Sequence, residues 1–184
     1  IRSIEQSDVC LLLIDAQNGM ERQDQAIFWQ VVNSYRGVVI LVNKWDLIEK
    51  DHQTMKTFEA AIRERIAPFT DVPILFTSNL TKQRILKAFE EAMEVYENRN
   101  YKIPTSQLND FLLPIIQNQP PPMYKGKMVR IKYVTQIKSQ TPTFAFYCNL
   151  PQYIKDPYKR FLENHIRSEW DLSGVTIRLF FREK

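Results

Sequence analysis

Glycine is scarce. Only four occur in 184 residues, at positions 19, 37, 126 and 174, and none stands near enough to another to build a glycine-rich phosphate-binding loop. Cysteine is sparser still, with Cys10 and Cys148 alone. Each lies in an apolar, strand-like run, the setting of a buried free thiol in a reducing compartment, so neither a disulfide framework nor a zinc site is expected. The two histidines, His52 and His165, have no metal-ligand spacing; His52 is expected near a helix start and His165 on a helix face. No apolar run approaches the roughly 20 residues that span a membrane. Arg2, Glu5 and Asp8 interrupt any apolar start of the kind a signal peptide needs.

What is present is an ordinary apolar fraction, 44%, enough for a packed core, and an uneven distribution of charge. The net +4 conceals a first stretch, residues 1–100, with 12 Lys and Arg against 15 Asp and Glu, and a second, 101–184, with 13 against 6. These sum to −3 and +7. Stretches of opposite sign point to two domains, 1–100 and 101–184, the second drawn to something anionic.

The periodicities agree with that division. Ile1 and Ile4 suggest the last turns of a helix. Residues 9–14 and 38–42 are unbroken apolar runs, as strands buried on both faces must be. A helix is expected over 21–35, with Ala26, Ile27, Val31 and Tyr35 inward and Gly37 as its C-cap. A second is expected over 51–67, with Met55, Phe58, Ile62 and Ile66 inward and Pro68 as its stop. A short strand over 73–76 and a helix over 82–98, with Ile85, Phe89, Ala92, Val95 and Tyr96 apolar, complete a strand–helix alternation that implies a parallel sheet. After residue 100 the pattern changes. A helix capped by Thr105 or Ser106 runs to 118, interrupted or kinked at Pro114. Strands follow over 128–137 (Val129, Ile131, Tyr133 and Thr135 sharing a face) and 143–149. A helix over 154–170 is closed by Gly174, and a last strand spans 175–181. The second domain is therefore α–β–β–α–β, one sheet with two helices.

Asn43-Lys44-Trp45-Asp46 follows the strand 38–42 at its carboxyl end, where open α/β sheets bind ligands. This tetrad resembles the guanine-reading motif of GTP-binding proteins. The chemistry suits the base: guanine offers two adjacent donors, N1–H and its exocyclic amine, and one carboxylate, Asp46, accepts both. Adenine offers no such pair. Lys44 can lay its apolar stem on the base plane, and the Asn43 amide can donate to an acceptor and tie neighbouring loops together. One β–α unit later, Thr77-Ser78-Asn79-Leu80 leaves another strand tip. There a backbone N–H can approach guanine O6, and Ser78 can hold the Asp46 carboxylate. The expected base site is thus Asn43, Lys44, Asp46, Ser78, Asn79 and Leu80. Asp15, which ends the strand 9–14, is read as structural. No Gly-x-x-x-x-Gly-Lys-Ser/Thr occurs, and no Asp-x-x-Gly occurs in the first hundred residues, so these residues are expected to bind the base without hydrolysing GTP.

Asn43-Lys44-Trp45-Asp46, Pro121-Pro122 with Gly126-Lys127, Tyr133-Val134-Thr135-Gln136, Thr141-Pro142-Thr143-Phe144, the run from Tyr158-Lys159-Arg160 to Asn164, and Ile177-Arg178 together resemble the C-terminal part of the Der (EngA) family. These are ribosome-assembly GTPases with two tandem G domains and a C-terminal KH-like domain. The resemblance implies a partial P-loop GTPase domain of α/β parallel-sheet fold followed by an α+β KH-like domain. It implies GTP or GDP as ligand, with Mg2+ bound in the intact protein by groups outside this chain. The implied partners are the large ribosomal subunit precursor, its rRNA and an N-terminal G domain that precedes the chain. The implied setting is the cytoplasm, with no membrane. Asn79 stands where the family usually has alanine, and the Gly-x-x-Gly loop of true KH domains is missing. The RNA-facing residues are then the cations Lys125, Lys127, Arg130, Lys132, Lys159 and Arg160, which would contact phosphates with little sequence reading. The alternative is a non-catalytic RNA-binding adaptor on a degenerate G-domain scaffold.

Overall fold

The computed structural model describes residues 2–49, 51 and 53–183; the expectations for Ile1 and His52 fall outside the described residues. The chain divides into two compact units. The first takes Ile1–Arg99 together with Leu172–Thr176, and the second takes Asn100–Asp171 with Ile177–Lys184.

The first unit opens with a short helix, α1 (Arg2–Gln6), and then alternates: β1 (Val9–Asp15), α2 (Arg22–Asn33), β2 (Gly37–Asn43), α3 (Thr54–Ile66), β3 (Ile74–Phe76) and α4 (Ile85–Asn100). The three strands form a parallel sheet in the order β1-β2-β3, with β2 central and Asp15 opposite Asn43 at the tips. β2 is apolar throughout because both its faces are covered. Val38, Ile40 and Val42 join Phe28, Val31 and Val32 of α2 and Ile62 and Ile66 of α3. Val39 and Leu41 join Ala88 and Val95 of α4. Each such aliphatic side chain contributes about 1.5–3 kcal/mol when fully buried.

Two helices turn differently from the sequence reading. In α2 the inward residues are Phe28, Val31 and Val32, while Ile27 and Tyr35 are exposed and Ala26 is exposed as well. In α4 Phe89 and Tyr96 are exposed with Leu86 and Met93, and Ala88 and Val95 face the sheet. The sequence of α4 offers two apolar stripes, and the smaller one wins because it permits close approach. Val95 fills a gap made by two glycines. A Cβ on Gly37 would stand 2.6 Å from Val95 Cγ1, and one on Gly174 would stand 2.5 Å from Val95 Cγ2.

Both glycines therefore act differently from the caps expected. Gly37 is the first residue of β2, and the left-handed residue after α2 is Tyr35, at φ 54°. Gly174 closes no helix. Its N–H donates to Asp71 O at 2.8 Å and its carbonyl accepts from Val38 N–H at 2.9 Å. The segment Leu172–Thr176 so continues the position of β3 alongside β2, with Leu172 and Val175 buried. At φ +74°, with Val38 O 2.9 Å from a would-be Cβ, only glycine fits.

The second unit comprises α5 (Thr105–Asn118), β4 (Ile131–Ile137), β5 (Thr143–Cys148), α6 (Asp156–Glu169) and β6 (Arg178–Glu183). Its sheet order is β4-β5-β6, β4 antiparallel and β6 parallel to β5. Leu108, Leu112 and Ile116 of α5 and Leu162 and Ile166 of α6 are buried, with Val134, Phe144 and Phe146 of the sheet. α5 runs through Pro114 without ending; Pro114 is exposed, so water can serve the carbonyl its missing N–H leaves free. The N-cap is Pro104, not Thr105 or Ser106. The pairing of β4 shifts register between Ile131 and Tyr133. That bulge exchanges the faces: Val129 is buried before it and Val134 after it, in place of the uniform Val129–Thr135 alternation. The last strand begins at Arg178 rather than 175, because the residues before it belong to the first unit.

Candidate functional site

The tips of the three parallel strands bring the 43–46 loop and the start of the 77–80 turn together. Thr77 N–H donates to Val42 O at 2.8 Å, and Trp45 N–H donates to Thr77 O at 3.1 Å. The sheet register thus continues past β3 and holds the 43–46 loop against the 77–80 turn. Asn43 completes the link: its Oδ1 accepts the Asn79 N–H at 3.2 Å. The expectation that Asn43 ties neighbouring loops together is met in this bond. The Asn79 N–H expected to approach guanine O6 is the donor in it.

The direction of the loop is set by Lys44 and Trp45. Lys44 sits in the left-handed region, at φ 60° and ψ 31°, a conformation that costs a non-glycine residue about 1–2 kcal/mol and that clusters at functional sites. The turn drives Trp45 inward, where it is 3% exposed and packs on Phe76 at 4.4 Å and Phe58 at 5.2 Å between ring centroids. The unspecified residue of Asn-Lys-x-Asp is thus the anchor here. Asp46 follows within a single 3-10 turn, Trp45–Leu47. Its residue is part-buried, and among the described residues no hydrogen bond or ion pair engages its carboxylate. A part-buried carboxylate at a strand tip, held by an anchored neighbour, suits a ligand with two adjacent donors.

Lys44 lies differently from the simple picture of a lysine stem on a base. Its Nζ donates to Asp15 Oδ2 at 2.6 Å, and Asp15 Oδ1 accepts the Gln17 N–H at 2.9 Å. The Lys44 hydrogen bond, followed by that from Gln17, holds the Asp15 carboxyl below the usual range. Asp15, read from sequence as structural, therefore belongs to the site as the group that positions Lys44. The available signal was its place at the tip of the adjacent parallel strand. Thr77 was missed for a plainer reason, since it acts through its backbone.

Ser78 is fully buried. Its Oγ accepts the Thr81 N–H at 3.1 Å, and its backbone exchanges hydrogen bonds with Gln83 at 2.9 and 3.3 Å. Ser78 therefore shapes the turn rather than gripping Asp46. Leu80 is 83% exposed and stands outside the cluster. Among the described residues no group of three His, Cys, Asp or Glu is placed to hold a metal, and no helix is long and apolar enough to cross a membrane.

In the second unit the six expected RNA-facing cations are not one patch in chemical terms. Lys125 and Lys127 stand on a tight turn, closed by two hydrogen bonds between Tyr124 and Lys127. Lys127 and Arg130 line one hollow with Met128, Asn149 and Leu150. Lys132 is exposed at the β4 bulge. Lys159 and Arg160 are on α6, and Lys159 is drawn to Asp156 at 2.8 Å, which leaves Arg160 as the exposed cation of that pair.

Comparison with known proteins adds sequence relationships to this geometry. Residues 1–117 match the family described as the elongation factor Tu GTP-binding domain. Residues 102–182 match the KH-domain-like C-terminal family of EngA bacterial GTPases. The matches overlap on α5, which the structure groups with the second unit. The GTPase Der of Flavobacterium psychrophilum is 58% identical over the whole chain, and that of Christiangramia forsetii is 57% identical. The Bacteroides fragilis GTPase Der is also 57% identical. The chain spans about 42% of the length of these curated relatives. Among solved structures, Aquifex aeolicus Era bound to GDP and aluminium fluoride aligns over the whole chain and 68% of its own, at 18% identity and a TM-score of 0.44. Era in complex with MgGDPNP and a segment of 16S ribosomal RNA aligns at 16% identity and a TM-score of 0.42.

Proposed function

The chain belongs to the GTP-binding domain family typified by elongation factor Tu and, within it, to the Der family, and from that premise we propose that it supplies guanine recognition and an RNA-facing domain to a GTP-hydrolysing ribosome-assembly factor. The observation that carries the proposal is Asp46, an unengaged carboxylate at the tip of a doubly buried strand. Asp46 would accept N1–H and the exocyclic amine of guanine. Lys44, positioned by Asp15, would cover the base plane, and Asn43 would keep the 77–80 turn in place.

Hydrolysis would draw on a phosphate loop and Mg2+ ligands in the part of the longer protein that this chain does not span. The bound nucleotide's phosphates would supply the signal, and these residues would supply the selection for guanine. The proposed partner of the second unit is ribosomal RNA in the large-subunit precursor, in the cytoplasm. Its support is the +7 carried by residues 101–184, which favours phosphate contacts.

The test is Asp46→Asn in the longer protein, read by nucleotide competition. A donor in place of an acceptor should weaken GTP by about 10^4-fold and favour xanthosine triphosphate, because a buried polar mismatch is left unpaired. Unchanged GTP affinity would remove Asp46 from the base site.

A further inference from the structure

Two strained turns meet at one end of the second unit. In the first, Tyr124 and Lys127 exchange backbone hydrogen bonds at 3.0 and 2.9 Å, with Lys125 at φ 47° and Gly126 at φ 74° between them. Two successive left-handed residues make a mirror-image hairpin turn, which ordinarily takes Asn-Gly or Asp-Gly. A lysine there accepts backbone strain and sets a cation at the tip, a combination that clusters at functional sites. The second turn opens at Leu150, at φ 55°, and carries Tyr153 on the short 3-10 turn Pro151–Tyr153.

The turns are fastened together. The rings of Tyr124 and Tyr153 stack 3.8 Å apart at 15°, and the Lys125 ammonium stands 5.5 Å over the Tyr124 ring. Asn149 Oδ1 accepts the Arg130 N–H at 2.5 Å, and its amide donates to Met128 O at 3.0 Å. That side chain is spent on holding the floor rigid. Between the turns lies a hollow of about 480 Å³ lined by Lys127, Met128, Arg130, Asn149 and Leu150.

Of the five lining residues two are cations and none is acidic, so the ligand carries negative charge. Met128, half exposed, and Leu150 line the hollow beside those cations, so the ligand also presents an apolar face. A nucleotide has both. A duplex offers phosphates while keeping its bases stacked inward, and would leave the apolar wall unmatched. We infer that this hollow seats one unstacked nucleotide of single-stranded RNA, its phosphate on Lys127 and Arg130 and its base against Met128 and Leu150. The inference rests on the RNA-facing reading of the second unit and deepens it. It replaces a diffuse positive surface with a site, in a domain that has no Gly-x-x-Gly loop.

The experiment uses the 184-residue chain and a labelled single-stranded oligoribonucleotide of about ten nucleotides, with the same sequence as a duplex, followed by fluorescence anisotropy across salt. The single strand should bind at least about tenfold more tightly than the duplex, because only an unstacked base can reach the apolar wall. Lys127→Ala with Arg130→Ala should lower its affinity and reduce the salt slope by about 0.7, for the one phosphate the two cations share. Met128→Ser should weaken the single strand severalfold while leaving the slope alone. Equal binding of duplex and single strand would overturn the inference. So would a double variant that keeps both affinity and slope while Lys132→Ala with Arg160→Ala loses them. Absence of binding to either form at about 50 mM salt would instead sink the RNA-facing reading itself.

Discussion

At the strand tips of the first unit three polar side chains have partners close by: Lys44 has Asp15, Asn43 has the Asn79 N–H, and Ser78 has the Thr81 N–H. The Asp46 carboxylate has none among the described residues. In the second unit the cations Lys125, Lys127, Arg130 and Lys132 are exposed on a turn and a bulged strand, and Lys159 alone among the six is drawn into an ion pair with a neighbouring carboxylate. On the proposed function the first arrangement would discriminate, because a fixed acceptor penalises the wrong donor pattern. The second would attract, because charge acts over a Debye length of about 10 Å and tolerates imprecise placement. A chain of −3 in its first hundred residues and +7 in the remainder would thus keep selectivity and attraction on separate scaffolds.

Four perturbations sharpen or break that contrast. The largest effect is expected at Gly174. Gly174→Ala adds a Cβ against Val95 and Val38 O at positive φ, which should cost roughly 2–5 kcal/mol, combining left-handed strain with overpacking. Hydrogen exchange should lose protection along β2 and β3 and keep it along β5. Uniform loss would mean that Leu172–Thr176 does not belong to the first scaffold alone.

Salt comes next. RNA binding by the chain should weaken roughly fiftyfold between about 50 and 200 mM salt if four phosphates are neutralised, whereas binding indifferent to salt would end the electrostatic account of the second unit. Guanine nucleotide binding in the longer protein should respond less. Asp15→Asn is smaller: it should weaken guanine nucleotides by about two- to fivefold, the scale of an exposed ion pair, without altering the preference for guanine over xanthine. A change of preference would place Asp15 on the base itself.

The smallest concerns the second unit's core. Burial pushes the Tyr158 phenol up to about 12, and its hydroxyl donates to Gln119 O at 2.8 Å. A pKa raised on folding stabilises the protein below the ordinary tyrosine value of about 10 and loses that contribution as pH rises from there to about 12. Melting temperatures across this alkaline range should fall, and the fall should be shallower in Tyr158→Phe.

Much of this was legible beforehand, and the boundary is physical. The apolar runs at 9–14 and 38–42 announce strands covered on both sides; β1 and β2 lie at those places, but β2 alone of the two is covered on both faces, since Leu13 of β1 is exposed. Asn43-Lys44-Trp45-Asp46 at a strand tip implies a neighbour across the sheet, and the 77–80 turn is held there. The inward face of α4 was not legible, because Ala88/Val95 and Phe89/Tyr96 lie on stripes of comparable periodicity and only the approach of a sheet distinguishes them. Nor was the inversion of faces along β4, since one bulged residue is invisible to an alternation rule.

The sequence by itself determined the kinds of element and most of their order, the separation of charge, and the chemical type of the groups at the base site, because propensity, periodicity and side-chain chemistry are local properties. Tertiary structure alone decided that a stretch after α6 returns to line β2, that Gly37 and Gly174 make room for Val95, and that Asp15 orients Lys44. Each of these is a meeting of residues distant in the chain, and close packing, not local preference, selects which of them may touch.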